Sequence, residues 1–148
     1  MNRIWPEKLD LDTLIALGRN TMAEHLGMQF TELGADFLRG TLPVDHRTCQ
    51  PLRLLHGGAS VALAETLGSV AANAVLADRG SVCVGQEINA NHLRSAHEGE
   101  LVTGTARPFH IGATSQVWGI EIVNGRGQLV CVARITLAVV KMRRPAAP

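Results

Sequence analysis

From Gly57 to about Ala77 the chain is apolar on nearly every side of a helical wheel, whereas beyond Gly80 apolar and polar residues alternate in short runs. A helix of the first kind must be covered on most of its circumference, so the pattern predicts a buried helix that stops near Asp78-Arg79-Gly80. The alternating runs Val82 to Asn91, Glu100 to His110, Thr114 to Val123 and Gln128 to Val140 read as strands of an antiparallel meander. Asn124-Gly125 is a strong turn signal between the last two, and His97-Glu98-Gly99 a weaker one earlier. Trp118, Ile120 and Ile122 alternate with Gly119 and Glu121, so that strand shows one face to a core and one to solvent.

Upstream, Asp10 is placed to cap a short helix carrying Leu11, Leu14 and Ile15, and Thr21-Met22-Ala23-Glu24 reads as a capping box closed by Gly27. Met28 to Leu33 and Phe37 to Val44 flank Gly34-Ala35-Asp36 as a hairpin, with Leu38, Leu42 and Val44 on one face. The segment Asp45 to Arg53, containing Pro51, leads into the long helix. Its many small residues, among them Ala62, Ala64, Gly68 and Ala71, would let a curved sheet or a second helix come close. The expected fold is α+β: one domain over residues 1–140, an antiparallel sheet wrapped around one long central helix in the hot-dog arrangement, with 141–148 a flexible tail.

Composition narrows the function. A chain of 148 residues suits one domain, and 46% apolar against 18% charged residues predicts folding, with aliphatic side chains filling the core because aromatics reach only 3%. A net charge of +1 and no long Lys/Arg block before the last few residues argue against a nucleic-acid partner. Ala59 to Ala77 approaches membrane-spanning length, but Glu65 at its centre is expensive in lipid, so no membrane partner is expected. Three dispersed cysteines, Cys49, Cys83 and Cys131, fit a reducing cytoplasm, and Pro6 and Glu7 interrupt any signal peptide. The histidines show no zinc-type spacing, so neither metal nor redox cofactor is expected.

Glu65 is the residue that needs a reason. Set among Val61, Ala62, Leu63, Ala64 and Leu67, it would be driven toward the neutral form unless donors or a water-filled cleft compensate. Its ordinary alternative is a helix-edge or subunit-rim carboxylate, exposed or paired with arginine. Ser69, four residues on, shares its face and could orient it or a water; alone it would be a packing residue. At the helix start, His56-Gly57-Gly58 offers free backbone N–H groups and the positive end of the dipole, suited to polarising a carbonyl, and Gln50 could donate to the same oxygen. Gly57 and Glu65 are eight residues apart, roughly 12 Å along a helix, farther than a Glu side chain spans. If both act on one carbonyl, they come from different subunits, as two antiparallel helices side by side would allow.

Together, Gln50-Pro51, Leu54-Leu55-His56-Gly57-Gly58-Ala59-Ser60, Ala64-Glu65-Thr66-Leu67-Gly68-Ser69, Gly85-Gln86-Glu87-Ile88-Asn89-Ala90-Asn91-His92, Arg94-Ser95 and Glu98-Gly99 make the chain resemble the hot-dog acyl-CoA thioesterases. The similar branch includes 4-hydroxybenzoyl-CoA thioesterase, the enterobactin proofreading thioesterase and 1,4-dihydroxy-2-naphthoyl-CoA thioesterase. The resemblance implies Glu65 as nucleophile or general base, the Gly57 amide polarising the thioester carbonyl, and Gln50, His56 and Ser69 assisting. It further implies that Gly85, His92, Arg94 and Ser95, with His110, Gly112 and Thr114 of the next turn, bind the coenzyme A substrate. One departure is Leu52-Arg53, where close relatives carry Phe-Gly, which bears on acyl-group preference. The expected activity is hydrolysis of an acyl-CoA or aryl-CoA thioester, or of an acyl-carrier-protein thioester, by a homodimer or homotetramer. Two alternatives stay open at this point: an acyl-CoA-binding module without turnover, and a hot-dog dehydratase acting on 3-hydroxyacyl thioesters.

Overall fold

A computed structural model describes residues 3–77 and 80–142. Two short helices, α1 (Leu11–Leu17) and α2 (Met22–His25), precede the hairpin of β1 (Gln29–Leu33) and β2 (Leu38–Pro43). The long helix α3 (Gly57–Val75) follows, then β3 (Ser81–His92), β4 (Leu101–Ile111), β5 (Ser115–Val123) and β6 (Leu129–Lys141). The Asp10 side chain caps α1 by accepting from the Thr13 N–H at 2.8 Å. The capping box of α2 does not close on Thr21. Its hydroxyl donates to the Gly18 carbonyl at 2.6 Å, and the Glu24 carboxylate accepts from the Asn20 N–H at 2.8 Å. Asn20, itself in the left-handed region at φ 57, turns its own N–H toward Glu24.

The six strands form one antiparallel sheet in the order β1-β2-β4-β5-β6-β3. Only β4, β5 and β6 make the expected meander. The first strand after the helix, β3, lies at the far edge beside β6. The reason is length: nineteen helical residues cover roughly 28 Å, enough to carry the chain across the sheet from the β2 side to the opposite edge. Turn signals tell where a strand begins but not which neighbour it takes. Lys141, read from sequence as the start of a tail, is the last residue of β6 and pairs with Ser81; residues 143–148 of that tail lie outside the described residues, as do Asp78 and Arg79 at the expected helix stop.

The sheet curls over α3 and buries Leu63, Ala64, Leu67, Gly68, Ala71, Ala72 and Val75 against Leu38, Leu42, Trp118, Ile120, Ile122, Ile135 and Leu137. Each large side chain buried there contributes roughly 1.5–3 kcal/mol. Helix and sheet approach closely at Gly68, where a Cβ would stand 2.5 Å from Ile135 Cγ2. Buried Gln116 is fully engaged: its amide donates to the Ala72 carbonyl at 3.3 Å, and its oxygen accepts from the Trp118 indole at 2.9 Å. The indole of Trp5 stacks on Trp118 with centroids 6.0 Å apart, fastening the N-terminal segment to the core. Glu65, Thr66, Ser69 and Asn73 repeat at helical spacing on the side of α3 that the sheet leaves half-buried.

Candidate active site

The start of α3 is built so that one N–H remains available. His56 is the N-cap, and its Nδ1 accepts from the Gly58 N–H at 2.8 Å, while the Ala59 and Ser60 N–H groups both reach the His56 carbonyl, at 2.9 and 3.2 Å. Among the described residues the Gly57 N–H alone of that first turn has no partner. The exposed His56 ring therefore serves the helix cap, with Nδ1 as its bare nitrogen. Gly57 also lies against His92: a Cβ there would stand 2.9 Å from His92 Nε2.

Gly57 opens onto a cleft of about 390 Å³ that Gln50, His92, Arg94 and Ser95 also line. Five of the residues singled out from sequence thus meet in one place. The Gln50 oxygen accepts from the Leu52 N–H, and among the described residues its amide NH₂ makes no hydrogen bond. Arg94 donates to the Leu129 carbonyl at 3.3 Å and holds its charge at the exposed rim. A free donor at a helix N-terminus beside an amide NH₂ suits a developing oxyanion.

Glu65 lies elsewhere, two turns along the half-buried face of α3. Its Oε1 accepts from Ser69 Oγ at 3.0 Å, and among the described residues of one chain the carboxylate makes no salt bridge. The carboxylate rests over Gly85 of β3, where a Cβ would come within 2.7 Å of Oε1. Strand pairing slips by one residue between Gly85 and Glu87, a bulge that bends the edge strand beside the carboxylate. Within one chain, then, Gly57 lies against His92 and the carboxylate of Glu65 against Gly85, seven residues away on β3.

His110, Gly112 and Thr114 are not brought into the cleft. Gly112 and Thr114 lie in the β4–β5 turn and His110 at the end of β4, where it folds over Gly112, and the Thr114 carbonyl accepts from the Val139 N–H at 2.9 Å. Register places that turn at the end of the sheet carrying Gly85: Ile111 pairs with Gln116, Gln116 with Leu137, and Leu137 with Gly85.

Asn73 was missed as a site residue. Its amide donates to the carbonyls of Ser69 (2.9 Å) and Cys83 (3.1 Å), and its oxygen accepts from the Cys83 N–H at 2.8 Å. The side chain thus acts as a stub of neighbouring strand for the β3 edge, and it fastens α3 to β3 two residues before Gly85. Its phase, eight residues after Glu65 and four after Ser69, was the available signal. Burial pushes the thiols of Cys83 and Cys131 above their ordinary value, so neither offers a thiolate nucleophile near neutral pH.

A family model of the thioesterase superfamily matches residues 52–131. The chain is 49% identical to the 1,4-dihydroxy-2-naphthoyl-CoA hydrolase of Escherichia coli over 136 residues, covering 92% of this chain and 98% of that protein. A thioesterase of Pseudomonas aeruginosa, solved with a glutamine replaced by alanine, superposes with a TM-score of 0.89 at 43% identity, over 94% of this chain and 99% of that one. A thioesterase of Staphylococcus aureus solved with a glutamate-to-alanine replacement matches at 35% identity and a TM-score of 0.78, over 82% of this chain and 100% of that one. It was also solved with a glutamine-to-alanine replacement, and that glutamine precedes the glutamate by fifteen positions.

Proposed function

Because the chain belongs to the thioesterase superfamily and is a thioester hydrolase, we propose that it cleaves acyl-CoA or aryl-CoA thioesters with Glu65 of one protomer and the Gly57 N–H of a second. The observation that carries this reading is the Glu65 carboxylate, without a cation partner among the described residues and held by Ser69 on a largely apolar helix. Glu65 attacks the thioester carbonyl or takes a proton from the water that does. Negative charge develops on the carbonyl oxygen, where the Gly57 N–H and the Gln50 amide receive it; a donor of this kind contributes roughly 3–4 kcal/mol. The intermediate collapses by breaking the C–S bond, which gives the acid directly where water attacked, or a mixed anhydride on Glu65 that water then hydrolyses where the carboxylate attacked. The products are the free acid and the thiol, with water supplying the oxygen and the protons.

The spacing of the engineered positions in the Staphylococcus aureus relative supports the pairing, since Gln50 and Glu65 are also fifteen apart. Two α3 helices lying antiparallel, each presenting its Glu65-Ser69-Asn73 face, would bring the cleft of one chain to the carboxylate of the other. Arg94 and His92 at the cleft rim suit the phosphates of coenzyme A.

Thiol release from a panel of CoA thioesters tests the activity, and Glu65→Ala should abolish it while leaving the thermal transition in place. Mixed dimers test the assembly. Glu65→Ala and Gln50→Ala chains are each impaired alone, but together they should regain turnover, because one of the two sites then draws both intact residues from different chains. No gain on mixing sinks the two-chain site, and wild-type turnover by Glu65→Ala sinks the carboxylate's role.

A further inference from the structure

The turn that carries Gln50 to the cleft adopts a conformation that its own residues resist. The Gln50 N–H donates to the Leu54 carbonyl at 2.8 Å and the Arg53 N–H to the Gln50 carbonyl at 2.9 Å, closing a tight loop over Pro51 and Leu52. To close it, Arg53 takes φ 60, in the left-handed region where an L side chain crowds the following carbonyl. Local hydrogen bonds help asparagine tolerate that region; arginine has no such aid.

What opposes the strain is visible. The Arg53 guanidinium grips Glu98 through both Nε, at 2.8 Å, and Nη2, and the Glu98 N–H donates to the Arg53 carbonyl at 3.1 Å. Leu54 bridges His97, and the Leu55 N–H donates to the Ala96 carbonyl at 2.8 Å. The two walls of the cleft, residues 50–55 and 94–98, are therefore stitched together, and the side-chain stitch is this forked ion pair. Each charge stabilises the other: Arg53 holds the Glu98 carboxyl below its ordinary value, and Glu98 raises that of Arg53.

We infer that Arg53 is a positioning residue for Gln50: its fork on Glu98 holds the left-handed turn from which the Gln50 amide reaches into the cleft. This rests on the proposed donor role of Gln50. Arg53 touches no reacting atom and acts through the backbone, which separates two substitutions that ordinary charge removal would make alike. Arg53→Ala keeps the strain and loses the fork, whereas Arg53→Gly loses both, since glycine adopts this φ freely.

The experiment compares Arg53→Ala, Arg53→Gly, Gln50→Ala and the Arg53→Ala/Gln50→Ala double variant of the full chain, by steady-state thiol release, amide hydrogen exchange over residues 50–55, and thermal melts. Arg53→Ala should lower kcat roughly ten- to a hundredfold with KM little changed, as for a misplaced catalytic group. It should also speed exchange in the turn. Arg53→Gly should recover most of both losses. On the Gln50→Ala background, Arg53→Ala should add nothing further. An Arg53→Gly variant as slow as Arg53→Ala would overturn the inference, as would multiplying losses in the double variant. Faster exchange in Arg53→Ala with wild-type kcat would overturn the positioning role and leave Gln50 a donor. Wild-type turnover by Gln50→Ala would remove the donor role itself, and the inference with it.

Discussion

The carboxylate of Glu65 occupies the space that Gly85 leaves by lacking a side chain: a Cβ on Gly85 would stand 2.7 Å from Glu65 Oε1. Gly85→Ala should therefore push the carboxylate off its position without touching it chemically. Turnover should fall roughly a hundredfold, the loss associated with a displacement of about 1 Å. Kinetics beside a thermal melt check this, with little change in the melt expected because Gly85 is exposed.

Ser69 aims the same carboxylate from the helix side, through a hydrogen bond of 3.0 Å. A bond to a charged acceptor contributes about 1.5–3 kcal/mol. Ser69→Ala should accordingly cost roughly ten- to a hundredfold in kcat, whereas a packing role alone would show only in stability. Ser69→Thr, which keeps the hydroxyl, should recover part of the loss.

Gly68 predicts an effect on folding instead of catalysis. Its missing Cβ would meet Ile135 Cγ2 at 2.5 Å, so Gly68→Ala must push helix and sheet apart despite alanine's better helix propensity. The expected net loss is about 1–3 kcal/mol of stability, read from denaturant unfolding. Ile135→Ala, which removes that Cγ2, should cost less stability in the Gly68→Ala chain than in the parent, because the two positions share one contact.

Asp45 sets an acid limit. The Arg47 side chain and backbone N–H hold its carboxyl down to about 2, against an ordinary 3.8. A folded-state value below the unfolded one means that this contribution is fully present above 3.8 and is lost as pH falls through that value toward about 2. Asp45→Asn should flatten that part of the stability profile, measured by denaturant unfolding at successive pH values.

Much of this fold was legible in local pattern. The alternation of Trp118, Ile120 and Ile122 located β5, and the closure of α3 by small residues against the sheet followed from Gly68 and Ala71. Strand order was not legible, because β3 has an alternating pattern that would suit either edge, and only the span of α3 decides between them. The grouping of Gln50, Gly57, His92, Arg94 and Ser95 was readable as a set of motifs. Arg53 was legible only in part: the glycine that close relatives carry there is the kind of residue a left-handed backbone favours, but that Glu98, forty-five residues on, holds an arginine in that conformation is seen only in the structure. The role of Asn73 was not legible because it depends on β3 being an edge strand, which local pattern does not reveal.

The stacked indoles at the N-terminus have an optical consequence. The chain contains two tryptophans and no tyrosine, so nearly all its ultraviolet emission comes from the single pair Trp5 and Trp118. One member belongs to the leading segment and the other to the centre of β5, so emission reads the seam between them, while far-ultraviolet dichroism reads helix and sheet. If the leading segment peels away before the sheet melts, the two signals will part company along the same titration, and variants at Glu65 or Gln50 can be followed by emission without disturbing the chromophores.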